Sequence, residues 1–183
     1  MTPGITVISG PAGVGKGTVV SRLAAEHPQI WVSVSTTTRA PRPGEVDGVH
    51  YLFVSEAEFD ALVEDGGLLE WAVVHGRHRY GTPAAPVFAA EAEGRVVILE
   101  IDLAGARQVR ERLPQARSIF LAPPDWGTLV GRLTGRGTET NDQVERRLQT
   151  ARVELEAAAE FDEVVVNDEL GATVGKLVSL LGL

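Results

Sequence analysis

The chain has 183 residues, 44% of them hydrophobic and 23% charged, a length that buries one sizeable core and leaves little room for two independent domains. Its 25 acidic and 17 basic residues give a net charge of −8, which argues against a nucleic-acid-binding surface or an anionic membrane partner, so any anion is bound locally. With no cysteine, disulfides, thiolate nucleophiles and zinc–thiolate sites are excluded; without a basic leader, an apolar signal core or a run of about 20 apolar residues, a soluble cytoplasmic protein is expected.

The apolar run Ile5–Ser9 predicts a first strand, and Gly10, Pro11, Ala12, Gly13, Val14, Gly15, Lys16, Gly17 and Thr18 follow it directly. Glycines at 10, 13, 15 and 17 free the backbone to aim consecutive N–H groups at phosphate oxygens, and Lys16 adds charge. The stretch Thr18–Glu26 has helix-compatible composition, so the loop opens on a helix N-terminus whose partial positive charge favours the same anion. A Gly-rich turn alone would be weak, but strand, loop and helix in this order make a nucleotide-phosphate site. In the G-x-x-x-x-G-K-[ST] pattern the residue after Lys carries a hydroxyl that ligates Mg²⁺. Here that residue is Gly17 and the hydroxyl is deferred to Thr18, so a metal is expected to be held more through water.

From about Ser35 to Ala90 the pattern changes. Polar, Pro/Gly-rich sequence leads to an extended run His50–Val54 and a helix starting at Ser55, where Glu58 completes a capping box. We read residues 35–90 as an inserted α+β lobe. It presents Arg39 and Arg42, braced by Pro41 and Pro43 and preceded by the hydroxyls of Ser35 to Thr38. Two planar guanidiniums on a stiffened loop suit a dianionic phosphate; the alternative is a basic loop paired with Glu45 and Asp47.

Beyond the lobe, strand and helix signals alternate. A strand over Val96–Ile101 precedes a helix from about Ala104 to Leu113, stopped by Pro114. A strand over Ser118–Leu121 precedes a helix from about Trp126 to Leu133, ended by Gly135. A longer helix, capped by Asn141 or Asp142, carries Val144, Leu148, Ala151, Leu155 and Ala158 at near-helical spacing, which reads as core. The strand Val164–Val166 and a helix from about Ala172 to Leu181 complete the chain. This rhythm predicts an α/β fold, a parallel sheet flanked by helices. We read one domain, with core segments 1–34, 91–133 and 142–183.

The polar, Gly-rich excursion Thr134–Thr140 reads as a mobile lid, taken as 134–141. Arg132, Arg136, Arg146 and Arg147 flank it. Arginines arriving on a closing flap stabilise the charge of a transferred phosphoryl group; the alternative is surface pairing with Glu139, Glu145 or Glu154. Arg136 and Arg147 are preferred over Arg146. The histidines show no metal-ligand spacing beyond His75 and His78 and read as surface or loop residues.

The blocks S-T-T-T-R-A-P-R-P-G-E-V-D-G-V-H-Y, L-L-E-W-A, R-Y-G-T, L-E-I-D-L-A-G-A-R, R-L-T-G-R-G-T-E-T and V-V-V-N-D occur in that order. With the phosphate loop they closely resemble guanylate kinase over residues 4–180. The resemblance implies a P-loop NTPase-type sheet core, an inserted GMP-binding lobe and a lid. It also implies the reaction of MgATP with GMP to give ADP and GDP, with Mg²⁺ as cofactor. Carried over motif by motif, Arg39, Arg42, Tyr51 and Tyr80 are the expected ligands of the GMP phosphate, and Ser35, Glu70, Thr82 and Asp102 the expected guanine readers. Carboxylates accept from guanine's N1–H and 2-amino donors, whereas adenine has an acceptor at N1.

On the ATP side the resemblance has Lys16 bridging the β- and γ-phosphates, Thr18 contacting loop-bound phosphate and Asn167 near adenine. Arg132, Arg136 and Arg147 join Lys16 as catalytic residues. Thr18 and Glu100 are the expected metal contacts, through water. No general base is needed, because the GMP phosphate is already an anion at neutral pH. One departure stands out: guanylate kinases usually carry Ser or Thr at the position of Gly17, and the G-K-G-T ending resembles adenylate kinase instead. The alternatives are a related P-loop kinase of AMP or a ribose bisphosphate, and a non-catalytic protein-binding module. Ser35, Glu70 and Asp102 argue against the first, and Lys16, Arg136 and Arg147 against the second.

Overall fold

A computed structural model describes residues 4–74, 77–134 and 141–183, with residues 141–143 as backbone only. Strand β1 (Ile5–Ser9) is buried along its whole length and leads through the loop into helix α1 (Lys16–Glu26). Strand β2 (Ile30–Val32) follows, then β3 (Thr36–Thr37), β4 (Leu52–Phe53), helix α2 (Glu56–Glu64), and strands β5 (Leu68–Val74) and β6 (His78–Pro83). Helix α3 (Ala84–Ala92), strand β7 (Val96–Glu100), helix α4 (Leu103–Arg112) and strand β8 (Arg117–Ala122) come next. Helices α5 (Trp126–Thr134) and α6 (Asn141–Glu156), a 3₁₀ turn (Ala157–Glu160), strand β9 (Glu163–Val166) and helix α7 (Leu170–Leu181) complete the order.

Five strands form the main sheet in the order β2-β7-β1-β8-β9, and every pairing is parallel. That arrangement follows from the apolar, β-branched runs, since a parallel sheet is covered on both faces. On one face Ile8, Ile98, Ile119 and Val165 pack with Val19, Val20 and Leu23 of α1 and with Val174 and Leu177 of α7. On the other, Val7, Leu99 and Phe120 pack with Val87 and Ala90 of α3, Ala106 and Val109 of α4, and Phe161. Helices α5 and α6 meet through Leu129, Leu133 and Ala151. The core thus holds the carboxyl ends of β1 and β7 side by side, Ile8 opposite Glu100, where open α/β sheets bind ligands.

A second sheet, β4-β3-β6-β5, lies wholly within residues 36–83. Its β3–β4 pair is parallel and its β3–β6 and β5–β6 pairs are antiparallel. Helix α2 begins with the expected capping box, Ser55 and Glu58 each accepting from the other's backbone N–H.

Several boundaries shift for physical reasons. Only Leu52 and Phe53 of the extended run pair as strand, because β3 offers two residues to meet them. Helix α7 starts at Leu170, two residues before Ala172, since the Glu169 carboxylate accepts from Gly171 and Ala172 N–H groups. Helix α1 starts at Lys16, which corrects the role given to Gly17: Gly10, Gly13 and Gly15 have φ of 147°, 80° and 98°, whereas Gly17 is an ordinary helical residue. The expected lid is largely residues 135–140, outside the described residues, as are Arg136, Gly135 and His75; the Asn141 and Asp142 side chains likewise.

Candidate active site

The phosphate loop is fixed by backbone and side-chain contacts, Val14 N–H donating to Pro11 O at 3.2 Å among them. A Cβ on Gly10 would stand 2.3 Å from the Leu121 carbonyl oxygen of β8, at a φ of 147°, so only glycine fits where the chain leaves the sheet. Helix α1 has no side-chain N-cap, which keeps its first-turn N–H groups available to an anion. The Asn167 amide donates to Val14 O at 2.7 Å and the Arg132 guanidinium to the same oxygen at 3.2 Å. The ammonium of Lys16 donates to Gly10 O at 2.5 Å and Pro11 O at 3.3 Å.

Around the loop lies a cavity of about 650 Å³, lined by residues 13–18, Glu100, Arg132, Asn167, Asp168 and Leu170. The expected donor-side residues Lys16, Thr18, Glu100, Arg132 and Asn167 therefore share one wall. Asn167 is almost fully buried and holds the loop; Asp168 and Leu170, not anticipated from sequence, extend the wall beyond it. Burial lowers the Lys16 ammonium from its ordinary value, opposed by the charges of Glu154, Glu100 and Asp102 in that order. Burial raises the Glu100 carboxyl, and Lys16 pulls it back. A Cβ on Gly17 would lie 3.6 and 3.8 Å from the two Glu100 oxygens. The bare face of Gly17 is thus turned to a carboxylate, at a spacing a small side chain tolerates.

In the lobe, Arg39 is a hub. Its guanidinium makes two 2.9 Å bonds to the Glu45 carboxylate, donates to Tyr80 Oη at 2.9 Å, and lies over the Tyr51 and Phe53 rings at 5.3 and 5.8 Å. Arg39 holds the Glu45 carboxyl down at about 2, helped by the Arg42 backbone N–H. The loop pairing weighed from sequence is therefore real for Arg39, and Tyr51 and Tyr80 meet edge-to-face beside it. Arg42 is exposed and contributes only its backbone to this cluster among the described residues.

Deeper in the lobe, Glu70 and Thr82 face each other across β5 and β6. Thr82 Oγ1 donates to Glu70 Oε1 at 2.6 Å, and both residues are buried. The other oxygen, Oε2, sits 2.7 Å from where a Cβ of Gly105 would be, so glycine in the first turn of α4 lets the lobe carboxylate reach the core. Asp102 caps α4 by accepting from Gly105 N–H at 2.8 Å, which brings it to the same spot. Burial, with the Asp102 charge nearby, raises the Glu70 carboxyl to about 7 against the pull of Thr82. Ser35 is half-buried and adjoins β3; its carbonyl accepts from Leu52 N–H.

Three groupings result: Lys16, Thr18, Glu100, Arg132 and Asn167 at the cavity; Arg39, Tyr51 and Tyr80 in the lobe; Glu70, Thr82 and Asp102 between them. Arg147 is half-buried on α6. Sequence reading missed Glu154 as a site residue, although its carboxylate accepts from the loop N–H of Ala12 at 3.4 Å. The only available signal was its position seven residues after Arg147, two helical turns along one face.

A protein-family model described as guanylate kinase matches residues 3–182. A guanylate kinase of Cutibacterium acnes is 60% identical over 179 residues, covering 98% of this chain and 90% of that protein. One of Streptomyces coelicolor is 56% identical over 178 residues, covering 97% and 90%. The crystal structure of guanylate kinase from Anaplasma phagocytophilum superposes with a TM-score of 0.78 at 31% identity, covering 100% of this chain and 86% of that one. A shikimate kinase from Bacteroides thetaiotaomicron, at a TM-score of 0.53 and 16% identity over 98% of each chain, shares the fold alone.

Proposed function

The chain belongs to the guanylate kinase family, and on that premise we propose that it transfers the γ-phosphoryl group of MgATP to GMP, and to dGMP, giving ADP and GDP. The observation that carries the acceptor is the buried Glu70–Thr82 pair beside Asp102. Two carboxylates at the foot of α4 can accept hydrogen bonds from guanine's N1–H and 2-amino group. Adenine would leave them unpaired, which discriminates strongly in a buried site. Ser35 completes the base pocket.

The Arg39, Tyr51 and Tyr80 cluster, joined by the exposed Arg42, supplies the GMP phosphate site in this reading. Guanidiniums and phenolic hydroxyls donate to phosphate oxygens; the Nη1 and Nη2 fork of Arg39 is engaged by Glu45, so the phosphate must take that carboxylate's place or use the remaining Nη2–H. On the donor side, N–H groups of residues 13–18 and the Lys16 ammonium receive the ATP phosphates, with Asn167 and Arg132 holding Val14 in place. Arg132 and Arg147 add positive charge around the transferred group. The chemistry then rests on alignment and charge neutralisation, since the acceptor oxygen is already anionic.

Among the described residues no group of three or more His, Cys, Asp or Glu side chains could hold a metal by itself. The oxygen donors of Thr18 and Glu100 on the cavity wall nevertheless suit Mg²⁺ arriving with the nucleotide, which keeps most of its waters. Bound there, the ion would neutralise phosphate charge. We take residues 35–90 as the GMP lobe, its sheet lying within 36–83 and its last helix α3 packing on the core, residues 134–141 as the lid and the remainder as core. A cytoplasmic location is part of the same proposal; no helix among the described residues is long and apolar enough to cross a membrane.

The test is an acceptor panel of GMP, dGMP, AMP, UMP and IMP with ATP and Mg²⁺, read by coupled ADP formation. GMP and dGMP are expected to turn over far faster than AMP and UMP. Comparable turnover of AMP sinks the guanine assignment.

A further inference from the structure

Glu154 has no role in the reading above, yet it reaches the phosphate loop from helix α6. Its carboxylate accepts from Ala12 N–H at 3.4 Å, a long contact, and it makes no other hydrogen bond among the described residues. One long bond does not repay the desolvation of a half-buried carboxylate. What favours the charge there is the field of the loop: Lys16 and Glu154 attract each other, and Glu154 outranks Glu100 and Asp102 in its action on Lys16. Burial is the leading influence and raises its carboxyl, while Lys16 and the Ala12 N–H favour the anion.

Resting on the assignment of this loop as the donor-phosphate site, we infer that Glu154 is an affinity-setting residue of the donor site, a fixed negative charge in the loop's field that opposes the nucleotide's phosphates. Two functions of the loop conflict in one place. Its N–H groups and Lys16 attract the polyphosphate, while a carboxylate against the same backbone repels it. The consequence is weaker holding of ATP and ADP than the loop alone would give, and faster release of ADP. A simple brace between α6 and the loop would need only an acceptor for Ala12 N–H, which glutamine supplies equally well; the charge is what distinguishes the two roles.

The experiment measures dissociation constants of ATP, ADP and AMP by calorimetry on the full chain, for wild type, Glu154→Gln and Glu154→Asp, with Mg²⁺ at pH 8. Glu154→Gln keeps the acceptor and removes the charge, and should bind ATP about three- to ten-fold more tightly, ADP somewhat less so, and AMP within about two-fold of wild type. Glu154→Asp keeps the charge and should stay within about two-fold for all three. Unchanged or weaker ATP binding by Glu154→Gln overturns the inference, as does an equal gain for ATP and AMP. Wild type that fails to bind ATP overturns the loop assignment itself, a separate outcome from a variant-to-wild-type ratio of one. Should Glu154→Gln not fold, Glu154→Ala replaces it, with the same direction expected and the same results overturning the inference.

Discussion

Replacing Glu70 by Gln should make the protein more stable at pH 8 while it loses GMP. In the fold the Glu70 carboxyl is raised from an ordinary 4.5 to about 7 because burial penalises the anion. At about 1.4 kcal/mol per pH unit, keeping it ionised above pH 7 costs the fold about 3 kcal/mol, an order-of-magnitude figure. The sign follows from proton binding. Between 4.5 and 7 the folded chain holds a proton that the unfolded chain has released, so stability falls as pH rises through that window and is flat above it. Below 4.5 both states are protonated and the penalty vanishes. Glutamine keeps an acceptor for Thr82 Oγ1, now 2.6 Å from Oε1, and carries no charge. Urea unfolding at pH 8 and pH 4.5 should therefore show a gain of about 1–3 kcal/mol at pH 8 and little at pH 4.5. An equal gain at both pH values, or a loss at pH 8, refutes the desolvation argument. The functional side has the opposite sense: wild-type GMP affinity should weaken as pH falls below 7, when guanine's donors meet a carboxylic acid. The glutamine variant should bind GMP at least about ten-fold more weakly and without that pH dependence.

Lys16→Ala should lower kcat by at least about a hundred-fold while the fold stays intact, checked by steady-state kinetics beside circular dichroism. Arg42→Ala should raise the Michaelis constant for GMP about ten-fold with little change in that for ATP, because the exposed guanidinium is removed without disturbing the Arg39–Glu45 pair; an unchanged GMP constant removes Arg42 from the acceptor site. Gly17→Ser should fold, since its Cβ meets Glu100 at 3.6 Å, and should raise Mg²⁺ affinity in the ATP complex measured by calorimetry. No change there favours a metal held wholly through water.

The sequence made most of the main sheet legible because β1, β7, β8 and β9 are short β-branched runs separated by amphipathic stretches with physical stops such as Pro114. Strand β2 was harder, since Ile30–Val32 is only three residues long and its pairing with β7 is a tertiary fact. Helix α3 escaped because its composition, A-A-P-V-F-A-A-E-A, has little amphipathic contrast, and its buried face, Val87 and Ala90, belongs to the core rather than to the lobe. Of the site, the phosphate loop was readable as a local motif. The meeting of Glu70 with Asp102 was expected only through the family resemblance, and the part of Gly105 not at all, because no periodicity links β5 to the foot of α4. The pairing of Arg39 with Glu45 was legible only as one of two alternatives, since spacing shows which charges are near in sequence and not which rotamers they share.

The pKa directions sort the acids by function. Glu56, Glu160 and Glu169 are held below their ordinary values at the surface, Glu56 by the Thr38 hydroxyl and then Arg79, Glu160 by Arg107 and Glu169 by helix N–H groups, and such exposed pairs contribute little; Glu45 is held down by the more enclosed Arg39. The acids held above their ordinary values, Glu70, Glu100 and Glu154, all lie at the proposed substrate sites, and in each burial is the leading cause. A fold selected only for stability would neutralise these three with glutamine or apolar residues. Each can instead be assigned a ligand interaction that needs an anion: guanine donors at Glu70, a hydrated cation at Glu100, and opposition to the donor phosphates at Glu154. In a chain of net charge −8 that handles two phosphorylated substrates, attraction is confined to a loop of backbone N–H groups, Lys16 and a few arginines. On the proposed reading, Glu70 at the foot of α4 sets which base is read, and the half-buried Glu100 and Glu154 beside the loop set how tightly the phosphates are held.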